Sequence, residues 1–364
     1  MVKRRHLLLG VGTTALVGAG AAWSGFRRMG SMDEYSAAMA TLRAPLPASP
    51  VARDLIRFAT LAANSHNTQA WLFRAADTAI DILPDMARAT PVVDPDDHHL
   101  FISLGCAAEN LSIAATSRGM PGEVRFDPGT GETRFAYANG AATHTALSDA
   151  IPLRQSTRGM YDGSALTPAE LADLETAARV AGVDLILITD RARIRQVADL
   201  IATANAAQIA DPAFMAELGH WMRFNPRRAL ATGDGLFSAT SGNPAMPDWL
   251  GPMVLDWAYT AETENKTNAA KIESSAGLAV FLGAAADPEH WVQVGRACQR
   301  FALQATAMGL KHAFLNQSVE VADLRPELAK LIGMPGRRPD LVMRFGRGAL
   351  LPYAARRDVA TVMA

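Results

Sequence analysis

The chain has 364 residues, 49% hydrophobic, 20% charged and 7% aromatic, which is enough apolar material for a large core in one domain or two and too much for a disordered chain. Lys+Arg 35 against Asp+Glu 36 leaves a net charge of -1, so no positive field draws in nucleic acid. Two cysteines, Cys106 and Cys298, are too few for a disulfide scaffold, a structural zinc site or an iron–sulfur cluster.

Lys3-Arg4-Arg5, followed by a Gly- and Ala-rich apolar stretch to about Ala22, reads as a targeting segment over residues 1–22. Paired arginines before a weakly apolar stretch are similar to a twin-arginine export signal, which makes the translocation machinery a partner; a plain membrane anchor or general secretory signal is the alternative. Cleavage near Ala19-Gly20-Ala21 removes three positive charges and leaves a mildly acidic, exported, periplasmic protein, whereas retention leaves it tethered. Residues 23–50, with Pro45, Pro47 and Pro50, read as an irregular leader.

From Val51 to Ala63 the positions Leu55, Ile56, Ala59 and Ala62 predict a helix, and the loop Asn64-Ser65-His66-Asn67-Thr68-Gln69 follows. Strands are expected at Trp71 to Phe73 and Ala79 to Leu83. Pro95-Asp96-Asp97 starts a helix carrying Leu100, Leu104, Leu111 and Ile113; the run from Asp94 to His99 is read as that helix start, favoured by the dipole, and not as a metal site. Gly105–Gly119 and Gly295–Gly309 are 15-residue segments bounded by glycine, and laid together they match Ala107 with Ala297, Ala115 with Ala305 and Thr116 with Thr306. Two alanine-rich core helices resemble each other by chance often enough to keep that reading open beside two related halves, residues 51–140 and 151–350.

Thr167-Pro168 starts a helix in the second half, Leu185 to Thr189 is a strand, and Ala192 to Ala210 is a helix. Residues 211–270 then combine Pro212, Pro226, Pro244, Pro247 and Pro252 with Trp221, Phe237, Trp249 and Trp257, a composition with enough apolar area to fold back as a lid. A strand at Gly277 to Gly283, a helix at 290–308 and a strand at Leu341 to Phe345 complete the body, and 351–364 is a tail. The cysteines sit among Ala and Leu and are read as buried and without redox role. The absence of Gly-x-Ser-x-Gly, a phosphate-loop motif and Cys-x-x-Cys argues against hydrolase, NTPase and thiol-redox chemistry.

Asn64-Ser65-His66-Asn67-Thr68-Gln69-Ala70-Trp71 resembles the flavin loop of the nitroreductase superfamily, Ala-Pro-Ser-x-x-Asn-x-Gln-Pro-Trp, with Asn67, Gln69 and Trp71 matching and both prolines replaced by alanine. Arg154-Gln155-Ser156-Thr157-Arg158 resembles the superfamily's Arg-Arg-Ser-x-Arg phosphate grip, with Gln155 for the second arginine. His290-Trp291 to Gly309-Leu310, Leu315-Asn316-Gln317 and Arg344-Phe345-Gly346-Arg347 resemble its Trp-led helix, its N5-facing loop and its closing strand. The Acg-like flavoproteins are the subgroup the chain resembles, single chains of two nitroreductase-like halves with a lid. The resemblance implies an α+β fold with two related halves fused as a pseudo-dimer, a lid insertion, and one FMN per chain.

It further implies that Arg154, Ser156, Arg158, Arg344 and Arg347 hold the FMN phosphate, that Asn67 and Gln69 bond the N3–H and flanking carbonyls of the ring with Ser65 and the turn residue His66 beside them in the cofactor-binding loop, and that Asn316 and Gln317 lie in the N5-facing loop. No residue is assigned as catalytic, because the flavin carries the chemistry. The function implied is an FMN-dependent oxidoreductase passing two electrons from an unknown donor to a small-molecule acceptor, a nitroaromatic, quinone or similar compound. Two alternatives stand beside it: a flavin-sequestering protein in which the lid prevents turnover, and an exported binding or hydrolytic protein without flavin. A monomeric pseudo-dimer is expected, with further oligomerisation open.

Overall fold

A computed structural model describes residues 25–364; the targeting segment read at residues 1–22 lies outside the described residues. The first part of the chain forms α1 (Met32–Leu42), α2 (Ala52–Thr60), β1 (Trp71–Ala76), β2 (Ala79–Pro84), α3 (His98–Thr116), β3 (Gly122–Asp127), β4 (Glu132–Tyr137) and a short α4 (Ala146–Ala150). The second begins with α5 (Pro168–Ala177), β5 (Val183–Ile188) and α6 (Arg191–Ala210). An excursion then forms α7 (Pro212–Trp221), β6 (Met222–Arg223), α8 (Pro226–Thr232), β7 (Leu236–Phe237), α9 (Gly251–Ala258) and α10 (Ala261–Glu273). β8 (Gly277–Gly283), α11 (Pro288–Ala307), β9 (Lys311–Phe314), α12 (Gln317–Glu320), α13 (Arg325–Leu331), β10 (Leu341–Gly346) and α14 (Val359–Val362) follow.

The strands form two four-stranded antiparallel sheets, ordered β1-β2-β4-β3 and β5-β8-β10-β9. Each reads first, second, fourth, third, and in each a long alanine-rich helix follows the second strand. Those helices, α3 and α11, cross at the paired glycines: a Cβ on Gly105 would lie 2.0 Å from the Val292 carbonyl oxygen, and one on Gly295 2.0 Å from that of Ile102. Only glycine permits so close an approach. The flanking bonds obey the same exchange, since Gln299 donates to Asn110 (2.7 Å) and Arg300 to Glu109 (2.8 Å). Asn110 and Arg300 then bond the carbonyls of Phe58 in α2 and Ala177 in α5, which makes those helices counterparts too. A chance likeness of two helices would not give the same partners on exchange, so the chain consists of two related halves.

The halves differ where the first two strands connect. β1 and β2 are joined by Asp77 and Thr78, whereas β5 and β8 are separated by residues 189–276. That insertion accounts for a difference in burial: β8 and β10 are buried throughout, with α11 on one face and α6 and α13 on the other, while β3 and β4 expose one face. One hydrophobic core runs through both halves, with Trp71, Phe73 and Leu104 joined to Phe281, Phe301 and Phe345.

Two segments are more ordered than their sequence suggests. The leader contains α1, capped by the Ser31 side chain, and its Tyr35 is buried and donates to the Tyr353 carbonyl (2.7 Å). Only Tyr35 and Met39 mark its inner face, too few positions for a periodic signal. The tail returns over the first half, burying Val359 and Val362 and bridging Met363 to Phe73.

Candidate functional site

The loop that ends α2 is held in an unusual conformation. His66, Asn67 and Gln69 have φ of 47°, 53° and 53°, left-handed backbone that disfavours residues with a Cβ. The clamp comes from distant chain: the Asn67 amide donates to the carbonyls of Gly235 (3.0 Å) and Ala355 (3.1 Å), while its oxygen accepts from Arg356 (3.0 Å). Gln69 donates to the Gly233 carbonyl (2.9 Å) and accepts from the Arg357 backbone N–H (2.9 Å). This corrects the expectation for both residues. Their amides brace the loop against the insertion and the tail, and Gln69 is fully buried, so neither is free to read a ring edge.

Two adjoining cavities meet at this loop. The larger, about 210 Å³, lies over Ser65, His66, Ser103 and Cys106, has Asn316 and Gln317 along one side, and is roofed by Phe214, Leu218, Leu236 and Tyr259 of the insertion. The smaller, about 50 Å³, shares Ala63, Asn64, Arg158 and Leu236 with it and is lined by Arg43, Arg154, Arg158, Arg356 and Ser156, with no carboxylate among the described residues that line it.

Four guanidiniums with no counter-charge are costly to bury. Burial, then the neighbouring Arg154, pushes Arg43 down to about 9; burial pushes Arg154 down to about 10; burial, then Arg43 and Arg154, lowers Arg356. Arg356 is satisfied by carbonyls at the end of α2, among them those of Thr60 (2.5 Å) and Ala62 (3.0 Å). Arg154 is 2% exposed and spends only Nη2, on the Leu61 carbonyl (2.9 Å), leaving Nε and Nη1 buried without partners. Orphaned donors of a buried arginine beside a small void are the arrangement an anion completes.

Arg344 and Arg347 are not part of it, which is a second correction. Leu341, Met343 and Phe345 face α11, so strand alternation turns Arg344 to the opposite face of the sheet. It is 1% exposed there, lies over the Tyr161 ring and donates to the carbonyls of Gly159 (2.6 Å), Lys271 (3.2 Å) and Thr157 (3.3 Å). Arg347 pairs with Glu170 and reaches the Ser164 hydroxyl (3.4 Å). Neither lines either cavity.

Of the remaining residues, Ser65 donates its backbone N–H to Ser103 Oγ (3.2 Å), and burial, then Arg158, pushes His66 down to about 4, neutral at pH 7. Asn316 spends its side-chain oxygen on the Val342 N–H (3.0 Å), while Gln317 keeps a buried, unpartnered Oε1 at the larger cavity. Gln155 staples Leu351 through both backbone groups and so fixes the tail. Sequence reasoning missed Arg43, Arg356 and Glu320, while Tyr259 lies in the lid read at residues 211–270 and His99 in the run read as a helix start. Arg356-Arg357 in an otherwise apolar tail was the available signal for one of them; the others carry none. His99 lies 3.8 Å from Glu320, and burial takes its pKa to about 3.

Asp94, His98 and His99 do bring ligand atoms within 4.8 Å of one another. Asp94 accepts the N–H groups of His99 and Leu100 (3.0 Å each) as a helix cap, and His98 Nε2 lies 3.0 Å from Asp340, while His99 Nε2 is buried without a partner.

No family model matches the chain. It is 23% identical over 341 residues, 89% of this chain and 94% of its relative, to Rv3131 of Mycobacterium tuberculosis (strain ATCC 25618 / H37Rv), named as a candidate NAD(P)H nitroreductase. To the similarly named acg of the same strain it is 22% identical over 305 residues, 81% of this chain and 88% of that one. Among solved structures it is similar to the FMN-dependent nitroreductase NfnB from Mycobacterium smegmatis in complex with NADPH, at 13% identity and TM-score 0.36 over 60% of this chain and 90% of that one. A nitroreductase with bound FMN from Desulfitobacterium hafniense DCB-2 gives 15% identity and TM-score 0.37 over 59% and 97%. Along most of its length, then, this chain is similar to proteins named as NAD(P)H nitroreductases.

Proposed function

We propose that the chain is an FMN-dependent oxidoreductase of the nitroreductase type, reducing a nitroaromatic, quinone or similar acceptor by two electrons. The observation that carries this reading is the carboxylate-free arginine cavity, with the orphaned Nε and Nη1 of Arg154, opening onto a larger roofed cavity; the relatives' names add NAD(P)H nitroreductase, and the flavin is what the sequence resemblance implies. Arg154 and Arg158 would hold the phosphate dianion by charge-assisted bonds, with Arg43 and the Ser156 hydroxyl beside them. When bound, FMN supplies the two-electron chemistry. Phe214, Leu218 and Tyr259 exclude water from the larger cavity, and Gln317 offers an acceptor in its wall.

Because the insertion roofs that cavity, sequestration of the flavin is the second reading. Purified protein should show a flavin absorption spectrum and release one FMN per chain on denaturation, and NAD(P)H, which appears in the relatives' names, is the first donor to supply. Reduction of an added quinone supports the enzyme, while stoichiometric FMN without turnover favours sequestration. Protein that is colourless and takes up no FMN overturns both. We also propose that residues 1–22 direct export, to be checked by cell fractionation of the full-length protein.

A further inference from the structure

The outer face of the insertion carries an apolar stripe that no other described residue covers. Trp249, Met253 and Trp257 recur every four residues into and along α9, on one helix face, and are 51%, 61% and 80% exposed. The opposite side of α9 is packed, with Gly251 against the Phe224 ring. Side chains of this size are seldom left so bare, and contiguous exposed apolar groups mark a contact surface.

Two further observations select the partner. The chain enters the described structure beside the stripe: a Cβ on Gly25 would lie 2.7 Å from Trp249 Nε1, and the adjacent Phe26 is 48% exposed. The described chain therefore begins at this face. Charge also gathers here. Arg27, Arg28, Arg227 and Arg228 are exposed, and Arg227 donates its N–H to the Met29 carbonyl (2.8 Å), so both pairs lie together. Asp248, bonded by Asn225 (2.7 Å), and Asp256 stand within the stripe segment itself, and Asp33 and Glu34 are exposed at the start of α1. Tryptophan and methionine rimmed by arginine match a headgroup layer with phosphate above and acyl chain below.

We infer that this face rests on an anionic lipid surface, with Phe26, Trp249, Met253 and Trp257 entering the interface and the arginines meeting lipid phosphates. No helix among the described residues is long and apolar enough to cross a membrane, so the contact is one of lying on the bilayer. The inference is independent of the cofactor.

The test uses the full chain with vesicles of phosphatidylcholine, alone or mixed with phosphatidylglycerol. Tryptophan emission should be quenched by brominated phosphatidylcholine in the mixed vesicles. The double variant Met253→Glu/Trp257→Glu should need about tenfold more lipid for half-binding, whereas Trp249→Phe/Trp257→Phe should bind as before and lose most of the quenched signal. Arg27→Ala/Arg28→Ala should weaken binding to mixed vesicles only. All these positions are exposed, and unchanged thermal melts confirm intact folding. Equal binding by the glutamate variant and the parent assigns attachment to residues 1–24 alone and overturns the inference. So does a concentration-dependent dimer that the glutamate variant abolishes without any vesicle binding, which would make a second copy the occupant.

Discussion

Four arginines that look equivalent in the sequence have four different surroundings, and burial with partner count separates them. Arg154 keeps two orphaned donors and Arg158 sits where the cavities meet, whereas Arg344 has its carbonyls and ring and Arg347 has its carboxylate. Arg154→Ala or Arg158→Ala should therefore weaken FMN binding by about 1.5–3 kcal/mol, the scale of a lost charge-assisted bond, while Arg347→Ala leaves it unchanged and Arg344→Ala shows its effect in the unfolding midpoint. Fluorescence titration of flavin-depleted protein measures the first three; equal losses in Arg158→Ala and Arg347→Ala would return Arg347 to the site. The segment 154–158 was legible because its residues are adjacent. Arg43 was not, because no local pattern marks it, and Arg356 was marked only by its pairing with Arg357 in an otherwise apolar tail; the two reach the same void from opposite ends of the chain. Arg344 misled for a different reason: β10 is buried on both faces, so no polar alternation reveals which way a given side chain points.

At the level of elements, the glycine-bounded repeat was the most informative line of the sequence, because a backbone crossing leaves a mark that composition alone does not. Gly105→Ala and Gly295→Ala each drive a methyl into a carbonyl, and should each cost about 3 kcal/mol or more, by similar amounts because the sites exchange under the pseudo-two-fold. Urea unfolding of both variants measures this, and a cost confined to one would mean that the crossing is not symmetric in solution. The start of α3 has a pH signature of its own. Burial, then His98, pushes His99 to about 3, so the unfolded chain takes up that proton first and stability falls as pH drops below 6.5. Burial raises Asp94 and Asp340 to about 6; there the folded protein takes the proton first, which adds stability between pH 6 and about 4 and offsets part of the loss. Asp340→Asn removes one of those gains. Its urea midpoint should fall more steeply than the parent's between pH 6.5 and 4.5, and parallel profiles would show that Asp340 does not titrate there.

For the whole molecule the question is whether two related halves offer one cofactor site or two. The pseudo-two-fold that pairs Gly105 with Gly295 sends His99, Ser103 and Cys106 to Glu289, Gln293 and Arg296, and the end of α2 to Arg179 and Gly182 at the end of α5. Those counterparts line one open surface cleft, so the second site still exists as a place. Its contents have changed. The strained loop of residues 61–70 has no equivalent, because α5 passes into β5 within residues 178–182. Arg296 and Arg300 are both spent on the buried carboxylate of Glu109, at 2.8 Å each, and Cys106, a small apolar wall in one site, is matched by a charged side chain in the other. Among the described residues neither a roof nor a buried, unpartnered arginine remains at this cleft to close on a phosphate or a ring. Equilibrium dialysis over a range of FMN concentrations should accordingly give a single class of sites with one FMN per chain, weakened in Arg154→Ala and untouched by Arg179→Ala. A second equivalent, or loss of binding on changing Arg179, would mean that the cleft kept its function and that the asymmetry built by the insertion is superficial.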